Sequence, residues 1–83
     1  MKYYDITFRS VTYAQRGETA MRKAGIWCTL GRAPRAMEER GCGYRLTLGI
    51  GNGPRALAVL KEQRIPYRKI YARTGDGWNE VTL

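Results

Sequence analysis

Apolar residues in this chain recur at two periods, in the order strand, helix, strand, strand, helix, strand, and that order leaves few folds open. The clearest alternation is Tyr44-Arg45-Leu46-Thr47-Leu48-Gly49-Ile50, with Leu46, Leu48 and Ile50 on one side. Residues 3–8 read as an earlier strand with Tyr4, Ile6 and Phe8 sharing a face. Ser10 suits a helix N-cap and Gly25 suits a stop after Ala24. Between them Ala14, Gly17, Met21 and Ala24 fall at helical spacing, with Arg16, Glu18, Arg22 and Lys23 mostly opposite. The small residues of that stripe imply a helix lying close against a sheet.

Ile26–Leu30 reads as the second strand, with Ile26, Cys28 and Leu30 on one face and Cys28 acting as a small core hydrophobe. After the third strand, Gly51-Asn52-Gly53 turns the chain and Pro54 opens a second helix striped by Ala56, Leu57 and Leu60. That helix ends before Pro66, and Tyr67–Ala72 forms the fourth strand. Residues 74–83 contain an Asp-Gly turn signal; they either fold back as a short extra strand, with Trp78 over an edge, or fray. Right-handed crossovers in both halves give an α+β fold, a ferredoxin-like split βαβ sandwich. It has four antiparallel strands with two helices on one face. A chain of 83 residues makes one domain, 1–83, with its core at about 3–72.

The connection between the second and third strands, residues 31–43, is long for a small domain, with room for one helical turn at Arg35–Arg40. It ends in Gly41-Cys42-Gly43. Glycines on both sides of a cysteine add no packing surface but permit a sharp turn that exposes the sulfur. Arg35, Arg40 and Arg45 stand within a few residues of it, and nearby cations favour the nucleophilic thiolate. The backbone amides of Gly41 and Gly43 suit an anion such as a persulfide or selenide. Taken from the residues alone, an exposed carrier thiol and a plain turn into a strand remain equally open.

Composition removes several chemistries. The net charge is +8, with 11 arginines against 4 lysines, which invites nucleic acid, phosphate or acidic proteins, or simply solvates the surface. There is no histidine, which excludes Ser-His and Cys-His catalysis, and Cys28 and Cys42 match no zinc spacing. No metal, no cofactor and no enzymatic activity of the chain's own are therefore expected. No apolar run approaches the roughly 20 residues of a membrane span. The start, Met1-Lys2-Tyr3-Tyr4-Asp5, lacks a signal peptide's apolar core, so the expected setting is cytoplasmic, with both cysteines as thiols.

Ala24-Gly25-Ile26, Pro34-Arg35, Cys42-Gly43 and Ile70-Tyr71 follow one another at characteristic spacing. In this the chain resembles a small selenium/sulfur carrier protein-like family, over roughly residues 3–72. The resemblance implies a sulfur or selenium carrier with Cys42 as the carrier thiol. Pro34, Arg35, Arg40, Gly41, Gly43 and Arg45 would form the substrate or anion site around it. The partners it implies are sulfur- or selenium-transfer proteins. The Arg-rich loop and residues 74–83 depart from the family pattern.

A competing reading is a small basic RNA-binding module, since RNA-recognition domains use the same element order. Arg40-Gly41-Cys42-Gly43-Tyr44 follows their third-strand pattern in part, with Tyr44 and Tyr4 as candidate stacking rings. Cys42 and Thr47 stand where that pattern wants aromatic residues. A third reading places an anion at Gly51-Asn52-Gly53-Pro54-Arg55, although Pro54 removes one donor from such a cradle.

Overall fold

A computed structural model of the chain describes residues 2–34, 43–75 and 77–83. The elements are β1 (Tyr3–Phe8), α1 (Val11–Lys23), β2 (Cys28–Arg32), β3 (Tyr44–Gly49), a 3-10 turn (Ile50–Asn52), α2 (Gly53–Glu62), β4 (Ile70–Thr74) and β5 (Gly77–Val81). The fold is α+β: one antiparallel sheet in the order β2-β3-β1-β4-β5, with two helices. The expected four strands are therefore five. The additional strand is the 77–81 segment, which pairs along β4 with Arg73 opposite Trp78 and Ile70 opposite Val81.

Alternation decides what each face of the sheet meets. Ile6, Phe8, Leu46 and Leu48 point to one side and are fully buried with Met21 and Leu60 from the helices. Gly17 allows α1 to approach closely, since a methyl there would lie 3.0 Å from Leu46 and 3.2 Å from Phe8. Cys28 joins the same core.

Both helices end in the same hydrogen-bonded device. After α1, the Gly25 N–H donates to the Arg22 carbonyl (3.1 Å) and the Ile26 N–H to the Met21 carbonyl (2.9 Å), with Gly25 at φ 76. After α2, the Arg64 N–H donates to Lys61 (3.1 Å) and the Ile65 N–H to Leu60 (2.9 Å), with Arg64 at φ 56. These are Schellman ends, and the second places a non-glycine residue in the left-handed region. The first also explains why β2 starts at Cys28 and not at Ile26: the Ile26 amide is already spent on the helix.

The fourth strand begins later than its pattern indicates, for a similar reason. The Thr7 carbonyl accepts from the Arg68 N–H (2.8 Å), while the Thr7 hydroxyl accepts from the Lys69 N–H (3.1 Å). The Thr7 N–H also donates to the Lys69 carbonyl (2.9 Å), so Arg68 and Lys69 together oppose Thr7 as a β-bulge, and regular pairing starts at Ile70 opposite Ile6.

Candidate functional site

The connection that the sequence singles out is rooted on a regular hairpin. Arg32 of β2 lies opposite Tyr44 of β3, with its guanidinium 5.9 Å from the centre of the Tyr44 ring. One step further out, the Ala33 N–H donates to the Gly43 carbonyl at 3.1 Å. Pro34 is half-buried beside this rung, and Gly43 is buried. Arg35, Arg40, Gly41, Cys42 and the helical turn expected at 35–40 lie outside the described residues. The described part brings Pro34 and Gly43 to the root of the same hairpin.

Arg45 is committed elsewhere along its strand. Its Nε donates to the Arg32 carbonyl (3.0 Å), and its Nη1 donates to Oδ1 of Asp5 (2.9 Å) and to the Thr47 hydroxyl (2.7 Å). The Thr47 hydroxyl in turn donates to Oδ1 of Asp5. Trp78 Nε1 donates to Oδ2 at 2.9 Å, and Arg73 Nε lies 3.6 Å from the same oxygen as an ion pair. Asp5 is fully buried in the middle of β1, on the face that the helices do not cover. A lone buried carboxylate would be costly, and four surrounding donor groups from three other strands offset that cost.

Of this hub, Arg45 alone is among the expected site residues, and it serves Asp5 here. A strand-centre aspartate flanked by Tyr3 and Thr7 on the polar side was the available signal, because a charge there requires partners. Its partners lie 40 to 73 residues away in sequence. Among the described residues, Arg73 Nε is the one buried side-chain nitrogen or oxygen without a hydrogen bond.

The rings proposed for RNA stacking sit differently from that reading. Tyr4 lies opposite Leu48, and Tyr44 lies opposite Phe8, so both belong to the helix-covered side. The helix-free side presents Tyr3, Trp27 and Trp78 instead. At the Gly-rich turn, the Arg55 Nη2 donates to the Ala24 carbonyl at 3.0 Å, which spends one of its donors on the end of α1. No group of three or more metal-binding side chains occurs among the described residues, and no described helix is long and apolar enough to cross a membrane.

The thiols are separated by environment. Cys28 is 3% exposed, and its pKa is pushed above the ordinary thiol value, first by burial and then by the Glu18 carboxylate, against a lowering pull from Arg22. At the end of β1 nearest the hairpin root, a cleft of about 370 Å³ is lined by Arg9, Tyr13, Pro66, Tyr67, Arg68 and Lys69. Among the described residues, three cations and no carboxylate line it.

With this geometry in place, comparison with known proteins is specific on one point. The family model described as Putative Se/S carrier protein-like matches residues 3–72. No curated protein and no solved structure matches the chain.

Proposed function

This chain belongs to the Se/S carrier protein-like family, and on that premise we propose that it receives sulfur or selenium on Cys42 and delivers it to a second protein. The burial of Cys28 supports this reading. A thiol 3% exposed with a raised pKa is a poor nucleophile, which leaves Cys42 as the other sulfur in a chain of two cysteines. Gly43, the residue after Cys42 in sequence, accepts the Ala33 N–H at the hairpin root.

The transfer step needs no outside oxidant or reductant. The Cys42 thiolate attacks the terminal sulfur of a donor persulfide, forming a new S–S bond as the donor's own S–S bond breaks. The donor leaves as a thiolate, and the sulfane sulfur keeps its oxidation state. A donor with terminal selenium loads Cys42 by the same balance. Arg35 and Arg40, close in sequence, favour the thiolate, while Gly41 leaves room for the donor's active site.

The basic cleft at the same end of the sheet supports a partner with an acidic surface, and the +8 charge would speed such encounters. The β2-β3-β1-β4 order, with α1 and α2 as the crossovers, supports reading these strands as a ferredoxin-like split βαβ to which β5 is added.

Intact-mass measurement after incubation with a persulfide donor tests the proposal. The wild type and Cys28→Ala should gain one sulfur that reductant removes, and Cys42→Ser should gain none. Full loading of Cys42→Ser, or a wild type that never loads, would overturn it.

A further inference from the structure

The helix-free face of the sheet carries an ordered row of side chains that the carrier chemistry does not use. Register places Gly49, Tyr3, Arg73 and Trp78 side by side on β3, β1, β4 and β5. Trp27, just before β2, completes the row: its ring centre lies 6.4 Å from that of Tyr3, tilted by 47°. Gly49 lies between them in the sheet, and a methyl there would meet nothing within 4 Å, so the surface over β3 is open between the two rings. On the far side the Arg73 guanidinium lies 5.0 Å from the Tyr3 ring centre. The sequence thus yields an aromatic, aromatic, guanidinium, aromatic series across one surface.

Trp27 is 56% exposed and stands in line with the Tyr3 ring, not as a single scattered apolar residue. The charge around the row favours an anion. At its centre, two guanidinium groups (Arg45 and Arg73) surround one carboxylate (Asp5), which leaves an excess of one positive charge. Asp5 is fully buried, and Glu80, toward the β5 edge, is paired with Lys69 at 3.7 Å. The chain as a whole carries +8.

We propose that this face binds single-stranded nucleic acid, with bases stacking on Trp27, Tyr3 and the Arg73 guanidinium and the phosphates drawn by the surrounding cations. Unpaired bases offer flat π faces to such a row, whereas a duplex keeps those faces inside its own stack. The backbone contributes affinity through charge, and the rings contribute preference for the single-stranded form. The row draws on no residue of the 31–43 connection, and the two proposals stand or fall independently.

The test is fluorescence anisotropy of labelled single-stranded RNA and DNA of roughly 12 nucleotides, a length spanning a typical site, with a duplex of the same sequence for comparison. The whole chain should bind single strands saturably, more weakly at higher salt, and should prefer them to duplex. Trp27→Ala should bind roughly tenfold more weakly at constant salt, and Trp27→Phe should recover most of that loss. Because Trp27 lies outside the core, circular dichroism should report an intact fold for both variants. Cys42→Ser should bind as the wild type does. Absence of saturable single-strand binding, equal affinity for duplex, or unchanged affinity in Trp27→Ala would each overturn the proposal.

Discussion

The indole of Trp78 donates a 2.9 Å hydrogen bond to Oδ2 of Asp5, joining the last strand to the middle of the first across 73 residues of sequence. The two strands are not neighbours in the sheet, since β4 lies between them. Trp78 therefore reaches over β4 and secures the edge strand through a side chain, beyond the strand pairing that sets it opposite Arg73.

Replacing Asp5 with Asn keeps its shape but removes the charge that two guanidinium groups face. The expected loss is roughly 3 kcal/mol, at the low end for breaking a buried ion pair because Arg45 and Arg73 retain 22% and 32% exposure. Trp78→Phe removes one hydrogen bond and should cost less, about 1–2 kcal/mol. Urea unfolding midpoints check both, and a Trp78→Phe loss exceeding that of Asp5→Asn would contradict this ordering.

The two helix ends make opposite predictions. Gly25 occupies its left-handed conformation without a side chain, so Gly25→Ala should destabilise by roughly 1 kcal/mol. Arg64 occupies the equivalent position with one, so Arg64→Gly should stabilise by a similar amount, roughly 1 kcal/mol. Thermal unfolding of the two variants should move the transition in opposite directions.

Gly53 opens α2 directly against Tyr4. A methyl group at this position would lie 2.5 Å from a ring carbon of Tyr4 and 3.0 Å from Leu83, and a rigid ring cannot yield without moving its strand. Gly53→Ala should cost about 1–3 kcal/mol by overpacking. Gly31→Ala is the control, because an added methyl there meets nothing within 4 Å. Equal unfolding midpoints for these two variants would rule out the clash.

Cys28 supplies a pH dependence whose sign is determined by its raised pKa. The folded state holds the thiol proton more tightly than the unfolded chain does. Its contribution to stability is complete below the ordinary thiol pKa and is lost as pH rises through the folded value. Stability should therefore fall on the alkaline side, and Cys28→Ala should flatten that fall in unfolding curves measured across pH. Alkylation of the native protein should label Cys42 quickly and Cys28 only as the chain unfolds.

Much of this architecture is legible from short stretches. Tyr4, Ile6 and Phe8 share a face because side chains alternate along any strand, and Leu46 and Leu48 follow the same rule. Ser10 caps α1, its hydroxyl accepting from the Tyr13 N–H at 3.3 Å, as a serine before a helical stripe suggests. Cys28 belongs to the core for the same local reason. The strand starts were less legible, because the amide of Ile26 and the pairing of Lys69 depend on how a helix end and the Thr7 hydroxyl compete for the backbone. Arg64 gave no signal at all: arginine is not a residue whose presence marks a left-handed position.

By itself the sequence determined the order of elements, the face each strand turns inward, and the family resemblance that points to Cys42. These rest on interactions spanning a few residues, and the side-chain period records them directly. Only the tertiary structure decided that residues 77–81 form a fifth strand, that Arg45 and Arg73 converge on Asp5, and that Trp27, Tyr3, Arg73 and Trp78 stand in one row. Those contacts depend on which strands become neighbours, and strand order follows from burying two helices against one sheet face. The opposite face then collects the polar and aromatic residues left over, at distances in sequence that no local pattern encodes.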